Sequence, residues 1–370
     1  MKKVLFLIHD LMGGGAEKVL VNLVNNMDFT KFDVTVMSLF DVGVNRQFLS
    51  KQVHYKYAHR KMMRGNSRFM KLLSPERLHK KYIKEDYDIE VAYLEGSCAR
   101  IISGCSDSKT KLVSWIHIEQ HTTERASISF RSIKEAEKCY RRYNKVVCVS
   151  ETVKQDFESI ISLENPAVVL YNTNESKKII NLSEEAISDV TFSDSEINLI
   201  AVGKLLKSKG FDKLVRIVNR LVHQNYSVHL HILGVGELES ELKAYIAKEK
   251  LEQYITLLGY QENPYKYIAS ADLFVCASLR EGFSTAATEA LIVGTPVCTV
   301  EVSGMKEMLG ENNEYGIVTE NSEEALYEGI KMLLDNLDLL AHYKKQAEIR
   351  GKEFSTEKTV KAVEDMLLSL

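Results

Sequence analysis

Val4-Leu5-Phe6-Leu7-Ile8, then Gly13-Gly14-Gly15, then Val19, Leu20, Leu23 and Val24 at helical spacing make the first 26 residues read as a strand, a glycine loop and a helix. Ile197 to Val222 follows the same plan, with Leu199 to Val202, the glycines Gly203 and Gly210, and then Leu214, Val215, Val218, Leu221 and Val222. The echo is one of architecture rather than of sequence. After each opening, short apolar runs alternate with amphipathic helical stretches. In the first half the runs are Val34–Leu39, Ile89–Leu94, Leu112–Ile116, Val146–Val149 and Val168–Leu170; in the second they are Val228–Leu233, Ile255–Leu258, Leu273–Ala277, Val297–Val300 and Gly316–Val318. Such alternation predicts two α/β domains, each with a parallel sheet covered on both faces. Ligands of these sheets bind beyond the carboxyl ends of the strands.

The chain has 370 residues, which suits two domains of ordinary size. Asn172 to Glu196 is rich in Ser, Glu, Asp and Asn and has little periodicity, so the expected division is 1–175, a linker at 176–196, and 197–354. The apolar run after Lys2-Lys3 is too short for a signal peptide and is broken by His9-Asp10. No later run approaches a membrane span. Six cysteines are scattered without a C-x-x-C, and Cys148, Cys276 and Cys298 lie inside apolar runs, as reduced core thiols of a cytosolic protein would.

The net charge of -3 conceals an asymmetry: residues 1–180 carry 29 Lys and Arg against 21 Asp and Glu, and residues 181–370 carry 19 against 30. The two halves therefore face different partners. Between Lys51 and Lys84, Arg60, Lys61, Arg64, Arg68, Lys71, Arg77, Lys80 and Lys81 interleave with Tyr55, Tyr57, Met62, Met63, Phe69, Met70, Leu72 and Leu73. That mixture suits either docking on an anionic membrane surface or an ordinary amphipathic helix packed on its domain.

In the second half, Arg280-Glu281-Gly282-Phe283-Ser284-Thr285-Ala286-Ala287-Thr288-Glu289 places one carboxylate on a loop after a strand and another about two turns into the next helix, which Gly294-Thr295-Pro296 ends. The amides of Gly282 to Thr285 between them open a helix N-terminus that attracts anions. Carboxylates take sugar hydroxyls and helix amides take phosphate, so the expected ligand carries both. Gly203-Lys204 and Lys209-Gly210 add two cations on a glycine loop, a clamp for pyrophosphate.

These segments resemble the Glu-x7-Glu signature and the basic pair of the retaining, nucleotide-sugar-dependent glycosyltransferases of family 4, and Ser303-Gly304-Met305 with Glu307 fits the same pattern. The resemblance spans nearly the whole chain, more specifically in the second half. It implies the GT-B architecture, two Rossmann-like doubly wound domains facing across a cleft, with the last helix, 355–370, crossing back to the first domain. It implies that Glu281 holds the donor's hexose hydroxyls, Glu289 its ribose, and Lys204 and Lys209 its diphosphate, with Gly203, Gly282, Phe283, Ser284 and Thr285 lining the donor site. The first lysine is more often Arg in the family, and Lys offers a point charge without the bidentate fork. It further implies that Gly14 and Gly15 lie near the acceptor and the donor phosphates, and that His117, which closes the strand Leu112–Ile116, lies near the reacting carbon. Ser150, Glu151 and Asn172 match further family positions.

Neither glycine loop completes G-x-G-x-x-G, because Lys18 and Glu239 stand at the third position. Asp86-Tyr87-Asp88 starts a strand, away from the ligand end, and His229 and His231 share one strand face without a third ligand nearby, so both motifs read as structural. No metal or other cofactor is expected, and no nucleic acid. The expected partners are a nucleotide sugar, UDP-sugar on family frequency, a saccharide acceptor held on undecaprenyl lipid, and an anionic membrane surface through residues 51–84. With no second carboxylate evident near His117, retention by same-face attack is the expected mechanism, in a bacterial surface-polysaccharide pathway on the cytoplasmic side of the membrane. A sugar-nucleotide epimerase and a non-catalytic partner of the same fold are the alternatives.

Overall fold

The computed structural model describes residues 1–62 and 70–370, which fold as two compact units, Met1–Asn174 with Thr356–Leu370, and Glu175–Ser355. The first unit holds β1 (Lys2–Ile8), β2 (Phe32–Phe40), β3 (His54–His59), β4 (Ile89–Ala92), β5 (Lys111–Ile116), β6 (Lys145–Cys148) and β7 (Val168–Val169), in the spatial order β3-β2-β1-β4-β5-β6-β7. Every pairing is parallel, with Val4 opposite Val34 on one side and opposite Ile89 on the other. Burial on both faces explains the unbroken apolar run of β1, where Val4 to Ile8 are fully buried. The helix Gly15–Asn26 covers the sheet with Val19 to Val24 and packs against the C-terminal helix Thr356–Leu368, whose Glu364 carboxylate accepts the Asp28 N–H.

The second unit holds β8 (Ile197–Val202), β9 (Val228–Leu233), β10 (Ile255–Gly259), β11 (Leu273–Cys276), β12 (Val297–Val300) and β13 (Ile317–Thr319), in the order β10-β9-β8-β11-β12-β13, again wholly parallel. In both sheets the chain winds outward from the first strand and then jumps to its other side. The switch points fall between β1 and β4 and between β8 and β11.

Two expectations are corrected. Residues 176–196 are no linker: Ser176–Ser183 is a helix packed on the helices Tyr265–Ser270 and Thr285–Ile292, Asp189 accepts the Tyr267 hydroxyl, and Phe192 stacks on His231 at 4.1 Å. Two of the acidic side chains that suggested a linker anchor the segment within the second unit, Glu185 accepting from Asn263 and Asp189 from Tyr267. The stretch 51–84 is not one amphipathic helix either. It contains the edge strand β3 and the helix Pro75–Tyr82, so Tyr55, Met70, Leu78 and Tyr82 are packed rather than presented. Met63, Arg64, Arg68 and Phe69 lie outside the described residues.

Helix Pro75–Tyr82 is tied to the sheet through His79 Nε2, 2.7 Å from the Oε2 of Glu90, a carboxylate only 2% exposed on β4. Burial by itself would lower the His79 pKa; hydrogen bonds to Cys105 and Glu90, with the Glu90 charge, outweigh it and raise it from 6.5 to about 9. A raised folded-state value means stability fully present below pH 6.5 and lost as pH climbs through about 9. We expect the melting temperature to fall over that interval in the wild type and to fall less in His79→Gln, measured by thermal denaturation across pH.

Candidate functional site

The loops 203–210 and 277–284 leave β8 and β11 at the switch point of the second sheet. They touch through backbone. Gly210 has φ +68°, and a Cβ there would stand 2.1 Å from the Ala277 carbonyl oxygen, so only glycine fits. This approach sets Lys209 Nζ 2.6 Å from Glu281 Oε1, and the Ser278 hydroxyl donates to the same oxygen at 2.7 Å. The paired side chains are 31% and 13% exposed, so the attraction is less screened than at an open surface. Lys204, on the same loop, is exposed and has no ion-pair partner among the described residues. A cation facing solvent beside a neutralised cation–carboxylate pair can receive an anionic group without disturbing the fold.

The helix Thr285–Ile292 follows, with Ser284 as N-cap accepting the Ala287 N–H at 3.4 Å. Gly282, Phe283 and Ser284 are buried. Glu289, 4% exposed, is the fifth helical residue and stands little more than one turn in, not two, because the loop after β11 takes up half of the spacing. The segment 303–305 closes on this loop: Gly304 has φ +78°, and a Cβ there would come 2.9 Å from the Gly282 carbonyl oxygen. Beside it the Ser303 hydroxyl is buried without a hydrogen-bond partner among the described residues. An orphaned hydroxyl beside the segment that closes on Gly282 and Phe283 is the kind of polar atom a ligand satisfies.

In the first unit, Gly14 is the N-cap of Gly15–Asn26. The Glu17 carboxylate folds back so closely that a Cβ on Gly14 would lie 2.0 Å from it. The residue order makes this the acidic half of a capping box, and that carboxylate shares the helix N-terminus with any incoming anion. His117 follows β5. Its ring lies tilted against that of Tyr93, with centroids 5.0 Å apart and planes at 55°, and bonds to the Tyr93 backbone, and its Nε2 is buried with no partner among the described residues. Burial lowers its pKa from 6.5 to about 4, so the imidazole is neutral near pH 7.

Sequence reasoning found no carboxylate near His117, yet the Oε2 of Glu95 accepts the His117 backbone N–H at 3.2 Å. Burial raises the Glu95 pKa, against the hydrogen bonds from its own amide and that of His117. Glu95 falls three residues past β4, at the same sheet edge that drew notice to His117, and that placement was the available signal. Ser278 was missed as well; nothing in its spacing marks it.

Ser150 is an N-cap, accepting the Val153 N–H at 3.2 Å, while Asn172 is buried. Asp88 accepts the Lys3 N–H at the opposite end of the sheet from the site, and His231, fully buried, stacks between Phe192 and His229. Two other groups combine metal-type donors, His79 with Glu90 and Cys105, and Glu119 with His121 and Asp156. In each, internal bonds already engage the donors: His79 with Glu90, and Asp156 with the amides of Gln120 and His121.

Two Rossmann-like units with parallel sheets, and a Lys–Glu pair beside a helix N-terminus at a switch point, define a glycosyltransferase of the GT-B class. Residues 13–173 match Glycosyltransferase Family 4 and residues 183–350 match Glycosyl transferases group 1, and the chain belongs to this family. It is 29% identical over 97% of both chains to N-acetylgalactosamine-N,N'-diacetylbacillosaminyl-diphospho-undecaprenol 4-alpha-N-acetylgalactosaminyltransferase of Campylobacter jejuni. It is also 32% identical to an amylovoran biosynthesis glycosyltransferase of Erwinia amylovora, over 35% of this chain and 34% of that one. Among solved structures, Anabaena HepE with UDP and glucose superposes over the full length of both chains with TM-score 0.78 at 19% identity. TarM of S. aureus does so over 98% of each at 0.71 and 14%.

Lys209→Ala leaves the sheltered Glu281 carboxylate without its cation. We expect it to lower the melting temperature, by about 1–3 kcal/mol of stability, and Lys209→Ala with Glu281→Gln to recover part of that loss, because no unpaired charge then remains. Thermal unfolding of the two variants beside the wild type checks this; equal melting in all three would show that the pair is not coupled.

Proposed function

We propose that the protein is a retaining, metal-independent hexosyltransferase that moves a hexose or N-acetylhexosamine from a UDP-sugar to a saccharide held on undecaprenyl diphosphate, in bacterial surface-polysaccharide synthesis. The observation that carries this reading is the Lys209–Glu281–Ser278 cluster, with Lys204 exposed on the same loop and Glu289 on the following helix. The Campylobacter relative, similar along 97% of both chains, acts on a diphospho-undecaprenol saccharide and supports that acceptor class.

Glycosyl transfer builds positive charge on the sugar ring and negative charge on the departing diphosphate. Lys204, Lys209 and the amides opening the helix at Thr285 stabilise the leaving group, while Glu281 and the Ser303 hydroxyl hold hexose hydroxyls and Glu289 holds the ribose. The acceptor oxygen attacks from the face the diphosphate leaves. The bond from C1 to the phosphate oxygen breaks, the bond from C1 to the acceptor oxygen forms, and the acceptor's proton passes to the diphosphate. Neutral His117 accepts a hydrogen bond through Nε2 rather than supplying charge.

The acceptor reading brings the enzyme to the cytoplasmic face of a membrane. Lys51, Arg60, Lys61, Arg77, Lys80, Lys81 and Lys84 are exposed, with Tyr57, Met62 and Leu72 the exposed large apolar groups of this stretch among the described residues. No helix of the described residues is long and apolar enough to cross a membrane. Docking is therefore chiefly electrostatic, with liposome flotation rising with anionic lipid and falling in Lys80→Ala/Lys81→Ala/Lys84→Ala. Flotation indifferent to lipid charge counts against it.

Thermal-shift binding against UDP, GDP and ADP and their common sugars tests the donor. A UDP-selective shift, lost in Lys204→Ala and in Glu289→Ala, is expected; the absence of any nucleotide shift sinks the reading. For turnover, kcat/KM has no histidine inflection near pH 6.5 and declines only as pH falls toward about 4, where His117 protonates. A protonation step near 6.5 that disappears in His117→Ala contradicts the neutral role.

A further inference from the structure

We propose that Glu95 is a positioning residue, which clamps the backbone at His117 so that the imidazole keeps one ring nitrogen uncommitted for a substrate hydroxyl. The inference rests on the function proposed above and deepens its acceptor side.

At the switch point of the first sheet, β4 ends at Ala92 and the Tyr93 amide turns to the Leu7 carbonyl. The His117 amide, the first beyond β5, donates instead to the Glu95 carboxylate at 3.2 Å. Further along the same loop, Asp156 accepts the amides of Gln120 and His121. Two carboxylates from different elements thus pin residues 117–121 from both ends. The ring is held as well: one nitrogen bonds to the Tyr93 backbone and the imidazole packs at a tilt of 55° against the Tyr93 ring, leaving Nε2 buried and unpartnered among the described residues. Buried polar atoms are rarely left so without a functional reason. Removing the Glu95 carboxylate frees the His117 amide, and the ring, carried on that backbone, loses its register with Tyr93. A displacement of about 1 Å at a catalytic group can cost about 100-fold.

Glutamine keeps a side-chain oxygen that accepts the same N–H, so substitution separates clamping from charge. The test compares Glu95→Gln and Glu95→Ala, each alone and combined with His117→Ala. The reading is UDP released from UDP-N-acetylgalactosamine or UDP-glucose, with water as acceptor where no saccharide is taken. We expect Glu95→Gln to stay within about threefold of wild-type kcat. Glu95→Ala should lose about 30-fold with donor KM little changed, and it should cost nothing further once His117 is alanine. A Gln variant as poor as the Ala variant would mean that the carboxylate acts as a base or a charge; losses that multiply in the double variant would mean that Glu95 acts independently of His117. Either overturns the proposal. Imidazole 15N shifts of His117 give a readout that needs no turnover: one fixed neutral tautomer in wild type and Glu95→Gln, an averaged one in Glu95→Ala. Should the wild type release UDP from neither sugar, the function fails while these shifts still decide the clamp, and an unchanged tautomer in Glu95→Ala refutes it.

Discussion

Every strand pairing in both units is parallel, and that constraint arranges everything else. A parallel neighbour can be reached only by a crossover from one end of the sheet to the other, so all loops that follow strands emerge at one edge. Where the winding direction reverses, two such loops diverge and leave a crevice. The positions that gather the chemistry are those loops: 203–210 and 277–284 in the second unit, and the turns after β1 and β4 in the first. The motif residues thus meet without being close in sequence, Lys209 and Glu281 being 72 positions apart.

The Lys209–Glu281 pair shows how such a crevice is kept ready. A buried ion pair must regain in attraction what it loses in hydration, and the Ser278 hydroxyl helps by satisfying the same oxygen. The contact needs Gly210 in its left-handed conformation, since any Cβ would push the lysine loop off Ala277. Lys209 is therefore not a cation waiting in solvent for a diphosphate. It is partly committed to Glu281, and an incoming diphosphate shares it, while exposed Lys204 offers the uncommitted charge. The two lysines look alike in the sequence; their burial separates their parts.

Strand period and glycine placement made both sheets and the second unit's site legible, because those signals are local. What escaped was decided by tertiary contacts. β3 was hidden since His54–His59 is a half-exposed edge strand with basic and aromatic residues instead of an apolar run. Residues 176–196 looked like a linker because their anchors are few, Ile179 and Phe192 among polar neighbours. Glu95 is a glutamate after a strand like many others, and only the meeting of β4 with β5 shows that it holds His117.

Two histidines of the first unit show why residue type alone does not assign a role. Both are sheltered, so both begin with the same penalty against the charged ring. His79 faces the buried carboxylate of Glu90 and becomes a lasting cation, its pKa raised to about 9. His117 has Tyr93 against its ring and a backbone carbonyl as partner, with no carboxylate on the ring among the described residues, and it becomes neutral, with a pKa of about 4. Glu95 lies close to His117 but spends its hydrogen bond on the backbone, where it fixes position without pairing with the ring. Had that carboxylate bonded to the imidazole as Glu90 does, His117 would be a second structural cation, with no lone pair for a hydroxyl. The difference between an ion pair that holds a helix and a ring poised for substrate thus rests on which atom the neighbouring carboxylate accepts from.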